Sequence, residues 1–320
     1  MASYKILLTD YAWDDLAIEE AILSAADAEF LHPKSSSEQD LIAVAPQADA
    51  IMTNWAQVPA SVIAAAEKCQ IIARLGVGLD NIDITAATAR DIPVTNVPDY
   101  CLIEVAEHTI ALIMSVARKV AYYHEATQHG TYDLTAGDPL RRIEGQTLGL
   151  VGFGQIARRV AAKAQGLGLN ILATSRSRRD PVEGVTFCDL DELLRESDYV
   201  SLHCPLTPET KHLVSTEQLA LMKPTARLIN TARGGVVDHE ALAAALASGQ
   251  IAGAALDVQT PEPPDLTAAP YSDPRVIVTP HAAFVSEESL ADLRTRSAQQ
   301  VIDRLQGRTP ANIVNGVELE

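Results

Sequence analysis

Cysteine is scarce in this chain. Its four thiols (Cys69, Cys101, Cys188 and Cys204) are scattered over 320 residues, with no two at the short spacing of a zinc site or a redox pair. That excludes a disulfide-built scaffold and points to reduced thiols, hence a cytoplasmic protein. Positive charge is also short: 25 Lys and Arg stand against 42 Asp and Glu, a net charge of −17. A field of that sign repels nucleic acid and argues against a polyanionic partner. Long apolar runs are missing as well. The longest, at 103–116, is interrupted by Glu104, Glu107 and His108, so a plain membrane span is excluded. The opening Ala2-Ser3-Tyr4-Lys5 has neither the basic start nor the apolar core of a signal peptide. There is no repeat and no low-complexity tract. What remains is 47% hydrophobic and 21% charged, as in a globular protein of about two domains.

Short β-rich runs alternate with helical patterns. Strands are expected at 5–9, 50–53 and 71–73, with helices at 14–26 and 59–68 between them. A long helical segment covers 103–120. The alternation then restarts, with strands near 147–151, 169–174, 198–201, 227–230, 252–256 and 276–278, and ends on an amphipathic helix at 286–306. Such alternation implies parallel sheets covered by helices, an α/β fold in two domains.

The first sharp motif is Gly152-Phe153-Gly154-Gln155-Ile156-Ala157, set between the strand 147–151 and a helical run. It is the dinucleotide fingerprint with alanine in third place. Gly152 permits the tight turn, Gly154 lets backbone approach a pyrophosphate, and Ala157 keeps helix and strand close. The ribose selector is expected at the end of the next strand, where an Asp or Glu suits a cofactor without a 2′-phosphate. Here the tip reads Ser175-Arg176-Ser177-Arg178-Arg179, with no carboxylate before Asp180. Guanidinium groups suit a 2′-phosphate, so NADP(H) is the expected cofactor and NAD(H) the competing one. The competing view of the three arginines is a solvated basic loop.

Three polar residues follow three separate strands: Arg233 after 227–230, Glu262 beyond Asp257 after 252–256, and His281 after 276–278. Strand ends are where α/β sheets place ligands, and a histidine beside a carboxylate can act as an acid near neutral pH. Arg233 can polarise a carbonyl and bind a carboxylate. In the first half, Arg74-Leu75-Gly76-Val77-Gly78 follows a strand and can offer backbone amides to an anion. His108, on the long helix, reads as a packed helix residue, and no metal site is expected.

These motifs are familiar together. LGVGLDNID (75–83), GLVGFGQIA (149–157), NTARGGVVD (230–238), AALDVQTPEP (254–263) and TPHAAF (279–284) resemble, in order and over nearly the whole chain, the D-isomer-specific 2-hydroxyacid dehydrogenase family. Within it, the Arg74 context and residues 281–288 are similar to the C-terminal-binding-protein branch. The resemblance implies two Rossmann-like domains with a cleft between them. One is a flavodoxin-like substrate domain of residues 1–100 and 286–320, enclosing a dinucleotide-binding domain of 101–285. It also implies a homodimer. By position, Arg233 orients a small 2-keto acid, His281 is the acid and base, and Glu262 pairs with His281. Val77 and Gly78 offer amides to the substrate carboxylate with Arg74 nearby. Asp257 faces the nicotinamide, and Thr231, Ala232, Cys204 and Pro205 line the cofactor groove. Two departures stand out: Ser175 replaces the ribose-binding Asp, and Phe284 stands where the corepressor branch has tryptophan. Two functions are thus expected to compete, reduction of a 2-keto acid to a D-2-hydroxy acid and a dinucleotide-sensing, partner-binding dimer.

Overall fold

A computed structural model describes residues 4–136, 139–176 and 181–319. The chain divides into two units, residues 1–100 with 286–320 and residues 101–285.

The first unit opens with β1 (Tyr4–Leu8), α1 (Ala17–Ala25), β2 (Ala28–Leu31), α2 (Glu38–Val44) and β3 (Ala50–Thr53). It continues through α3 (Ala60–Ala65), β4 (Ile72–Arg74), α4 (Ile84–Thr88) and β5 (Val94–Thr95). All pairs are parallel, in the order β2-β1-β3-β4-β5, the flavodoxin-like arrangement. Residues 50–53 and 72–74 are buried throughout, because helices cover both faces. Elements of two to seven residues escape a periodicity reading, which is why β2, α2, α4 and β5 are not foreseen by the pattern.

The second unit runs α5 (Leu102–Arg118), α6 (Val120–Gln128), β6 (Thr147–Val151), α7 (Gln155–Gly166), β7 (Asn170–Thr174), β8 (Val185–Phe187), α8 (Leu190–Glu196) and β9 (Tyr199–Leu202). Then come α9 (Thr216–Leu221), β10 (Arg227–Asn230), α10 (His239–Ala247), β11 (Gly253–Leu256) and β12 (Val276–Val278). The expected single helix at 103–120 is two helices, broken where Lys119 takes a left-handed φ of 53°. The seven strands are parallel in the order β12-β11-β10-β9-β6-β7-β8. Strand order reverses between β6 and β9, so the carboxyl ends of those strands are the natural ligand crevice.

The last helix, α11 (Glu287–Leu305), belongs to the first unit. Ser286 caps it by accepting from the Ser289 amide at 2.9 Å. Halfway along, Arg294 donates to both carboxylate oxygens of the fully buried Glu19 on α1, to Asp15, and stacks over Trp13 at 5.4 Å. Both partners are withdrawn from water, so removing either leaves a buried charge uncompensated. Among the described residues, no helix is long and apolar enough to cross a membrane.

Candidate active site

The glycine turn sits at the crevice of the second unit. Gly152, at φ 92°, donates its amide to Thr174 O at the end of β7 (2.9 Å), while His203 at the end of β9 donates to Val151 O (2.8 Å). A Cβ on Gly152 would stand 2.6 Å from the His203 carbonyl oxygen, so only glycine lets the two strand ends close. Gly154 is the opposite case: the space its Cβ would enter is empty. It is the N-cap of α7 and has no side chain to cap the first amides. Exposed Gly154 and Gln155 and half-buried Ile156 thus present uncapped amides at a helix N-terminus, a fit to the diphosphate of a dinucleotide. Ala157 is fully buried against the sheet. The Phe153 side chain is 1% exposed and packs edge-on against Phe187 at 5.2 Å, so only its backbone is available to a ligand.

Ser175 follows β7 directly and Arg176 is exposed beside it, whereas Arg178 and Arg179 lie outside the described residues. Half-buried Cys204 and exposed Pro205 follow β9. Burial raises the Cys204 thiol, pushes Cys188 up to about 11 and buried Cys69 up to about 12, so these thiols stay protonated. Burial also pushes His203 down to about 4, leaving it neutral beside Ser201 Oγ at 2.9 Å.

Arg233, Glu262 and His281 come together around the ends of β10, β11 and β12. His281 Nδ1 lies 2.9 Å from Glu262 Oε2. The other Glu262 oxygen accepts the Gln259 amide at 2.7 Å. Burial by itself would raise the Glu262 carboxyl. The hydrogen bond and charge of His281, the Gln259 amide and the charge of Arg233 outweigh that and hold it below the ordinary value. Glu262 is therefore anionic at neutral pH. Arg233 is set by a turn in which Asn230, fully buried, accepts from the Ala232 amide (3.0 Å) and donates to the Arg233 carbonyl (2.9 Å). Thr231 Oγ1 meets Thr109 Oγ1 at 3.0 Å, and Ala232 O accepts from Arg233 Nη1 at 2.8 Å.

Gly234 lets this turn touch the loop that carries Glu262. A Cβ there would run into the Gln259 carbonyl and stand 2.7 Å from Thr260 Oγ1. Gly234→Ala is therefore expected to cost about 1–3 kcal/mol by overpacking and to lower both the thermal midpoint and activity. Thermal unfolding by circular dichroism checks it; an unchanged midpoint would mean that the two loops have slack.

Asp257, fully buried at the end of β11, organises the segment behind His281. Its carboxylate accepts from Thr279 Oγ1 (2.6 Å) and from the Ala282 and Ala283 amides (2.9 Å each). Its backbone carbonyl accepts the His281 amide at 2.8 Å, and His281 takes a left-handed φ of 53°. Phe284 lies edge-on to the His281 ring, centroids 6.1 Å apart.

Arg74, Val77 and Gly78 belong to the first unit. There the Asn54 amide group donates to Leu75 O at 2.7 Å and that of Asn96 to Val77 O at 2.8 Å, so two buried asparagines hold the loop. Arg74 is itself 6% exposed, with its guanidinium folded onto Leu75 O and Gly76. Val77 is exposed, while Arg74 serves the loop from beneath.

Sequence reasoning missed Asn230, Gln259 and His108. Asparagine and glutamine at strand ends are a readable signal for braced turns. His108 gave none, since its partner is 171 residues away: Nε2 meets Thr279 Oγ1 at 3.1 Å and lies 3.5 Å from Asp257 Oδ1.

Comparison with known proteins gives a consistent picture. A family model described as the NAD binding domain of D-isomer specific 2-hydroxyacid dehydrogenases matches residues 110–283. The D-3-phosphoglycerate dehydrogenase of Synechocystis sp. is 40% identical over 285 residues, 87% of this chain and 51% of that protein, so this chain spans about half its length. The glyoxylate reductase of Korarchaeum cryptofilum is 42% identical over 267 residues, 81% of this chain and 80% of the reductase. Among solved structures, the D-lactate dehydrogenase of Aquifex aeolicus, complexed with NAD and lactic acid, superposes with a TM-score of 0.88 at 27% identity, covering 98% of this chain and 99% of that one.

Proposed function

The chain belongs to the D-isomer-specific 2-hydroxyacid dehydrogenase family, and from that premise we propose that it reduces a small 2-keto acid to the D-2-hydroxy acid with NADPH. The observation that carries the reading is the His281–Glu262 pair, 2.9 Å apart, in the charge field of Arg233 at the strand ends of a dinucleotide-binding sheet.

A reduced nicotinamide supplies the hydride when bound, and the residues of this chain do the rest. Arg233 binds the substrate carboxylate and carbonyl, which fixes orientation and stabilises the charge that grows on oxygen. His281, with Nδ1 engaged by Glu262, delivers a proton to that oxygen from Nε2 and takes it back in the reverse direction. Glu262, anionic at neutral pH, stabilises the imidazolium that must exist before transfer. Asp257 holds the segment 279–283 so that the ring keeps this stance.

Preference for NADPH rests on Ser175, which follows β7 without a carboxylate, and on the arginines beyond it. Arg176 is exposed, and its charge is the last-ranked of the causes that lower the Glu209 carboxyl, after the Thr207 side chain. The same reading takes the protein to be a cytoplasmic homodimer.

Initial rates with NADPH and NADH across a panel of 2-keto acids test both parts. Faster oxidation of NADPH is expected in the wild type. In Ser175→Asp, a carboxylate facing the 2′-phosphate should shift the NADPH/NADH ratio of kcat/KM by at least about tenfold toward NADH, since one lost or repelled charge contact is worth about 1.5–3 kcal/mol. A wild type that prefers NADH would make the arginine loop a solvated one. Silence with every acid despite tight dinucleotide binding would favour the sensing dimer.

A further inference from the structure

His108 lies on α5, in the same unit as His281 but far from it in sequence, and its side chain is 24% exposed. Its Nε2 approaches Thr279 Oγ1 at 3.1 Å, and Thr279 Oγ1 lies 2.6 Å from Asp257 Oδ1. A carboxylate has no proton to give, so the single hydroxyl proton of Thr279 points at Asp257. Thr279 can then offer His108 only a lone pair, and His108 Nε2 must carry the hydrogen. The contacts form one directed chain: His108 N–H to Thr279 O–H to the Asp257 carboxylate.

We propose that His108 is a positioning residue for His281, acting through Thr279 and Asp257. Asp257 is where the chain ends and where the stance of His281 begins. Its carboxylate clamps the amides of Ala282 and Ala283, and its carbonyl takes the His281 amide. His281 lies between these anchors in a left-handed conformation that a β-carbon disfavours, and it keeps that conformation only while the anchors hold. The Thr279 hydroxyl is the anchor on the near side. By fixing its rotamer, His108 fastens the segment to α5, a long packed helix rather than a loop. The proton on Nε2 does this work, not the charge of the ring, so a neutral donor of similar reach replaces it.

The proposal rests on the reading of His281 as the acid and base, and its test separates the two. In the full chain, His108→Leu is expected to lower kcat about tenfold with KM for the keto acid little changed. His108→Gln, whose amide nitrogen reaches the Nε2 position, restores most of the rate. Thr279→Val matches His108→Leu, and the double variant is no slower than the worse single one, because both break one chain. Independently of turnover, 15N NMR of the imidazoles should show His108 protonated on Nε2 in the wild type, with that preference lost in Thr279→Val. Equal losses in the Leu and Gln variants, losses that multiply in the double variant, or an Nε2 without its proton would each overturn the relay. A wild type inactive with every keto acid removes the role of His281, and the NMR then decides the hydrogen-bond chain alone.

Discussion

Replacing Arg233 with alanine is expected to lower kcat/KM for keto-acid reduction by about 10³-fold or more, with dinucleotide binding unchanged. Two interactions go at once. In the proposed function the guanidinium orients the substrate carboxylate and meets the oxygen on which negative charge develops; loss of one such donor alone removes about 10²–10³ in rate. The Asn230-braced turn fixes the backbone, not the guanidinium, so the variant keeps its fold. Arg233→Lys should recover little, because an ammonium cannot span carboxylate and carbonyl as a planar fork does. Steady-state rates at varied keto acid, with dinucleotide affinity read by fluorescence, check it. Near-normal turnover in the alanine variant would remove Arg233 from the chemistry.

The second large effect is at His281. His281→Ala is expected to lower kcat about 10²–10⁴-fold, the range set by loss of a positioned proton donor. The pH dependence carries the sharper signature. The folded Glu262 carboxyl is held below its ordinary value, so its contribution is complete above the ordinary carboxylate range and fades only as pH falls through the lowered value. Across neutral pH the carboxylate is constant, and any change of reduction rate there comes from elsewhere. Glu262→Gln keeps the size of the partner but has no carboxyl to titrate, so the fall of the reduction rate as pH drops through the lowered carboxylate range should be absent from the variant. A pH–rate profile of wild type and Glu262→Gln reads this directly. Superimposed profiles would show that the pair does not govern proton transfer.

Much of the second unit is legible in the sequence, because its strands are short apolar runs closed by turn residues and its glycine turn is tied to that setting. The strands at 147–151, 227–230 and 276–278 have the expected bounds. The first unit is harder: β5 has two residues, and β2 follows directly on a left-handed Asp27. Arg233, Glu262 and His281 could be paired from their shared place at strand ends. The same sequence is silent about His108, because an amphipathic helix shows which face is buried and not which distant hydroxyl that face meets. It also misleads about Phe153, whose place inside the fingerprint hides the fact that its ring belongs to the core.

The Arg294–Glu19 lock also bears on the order in which the protein is made. The first unit takes its strands from residues before the second unit and its closing helix from residues after it, while the second is one continuous stretch. On the ribosome, residues 101–285 can complete their sheet as they emerge. The earlier segment, with Glu19 exposed and apolar residues such as Leu16 and Leu23 uncovered, waits until α11 is released. The earlier segment is thus made before the second unit and finished after it, with its apolar face uncovered in between.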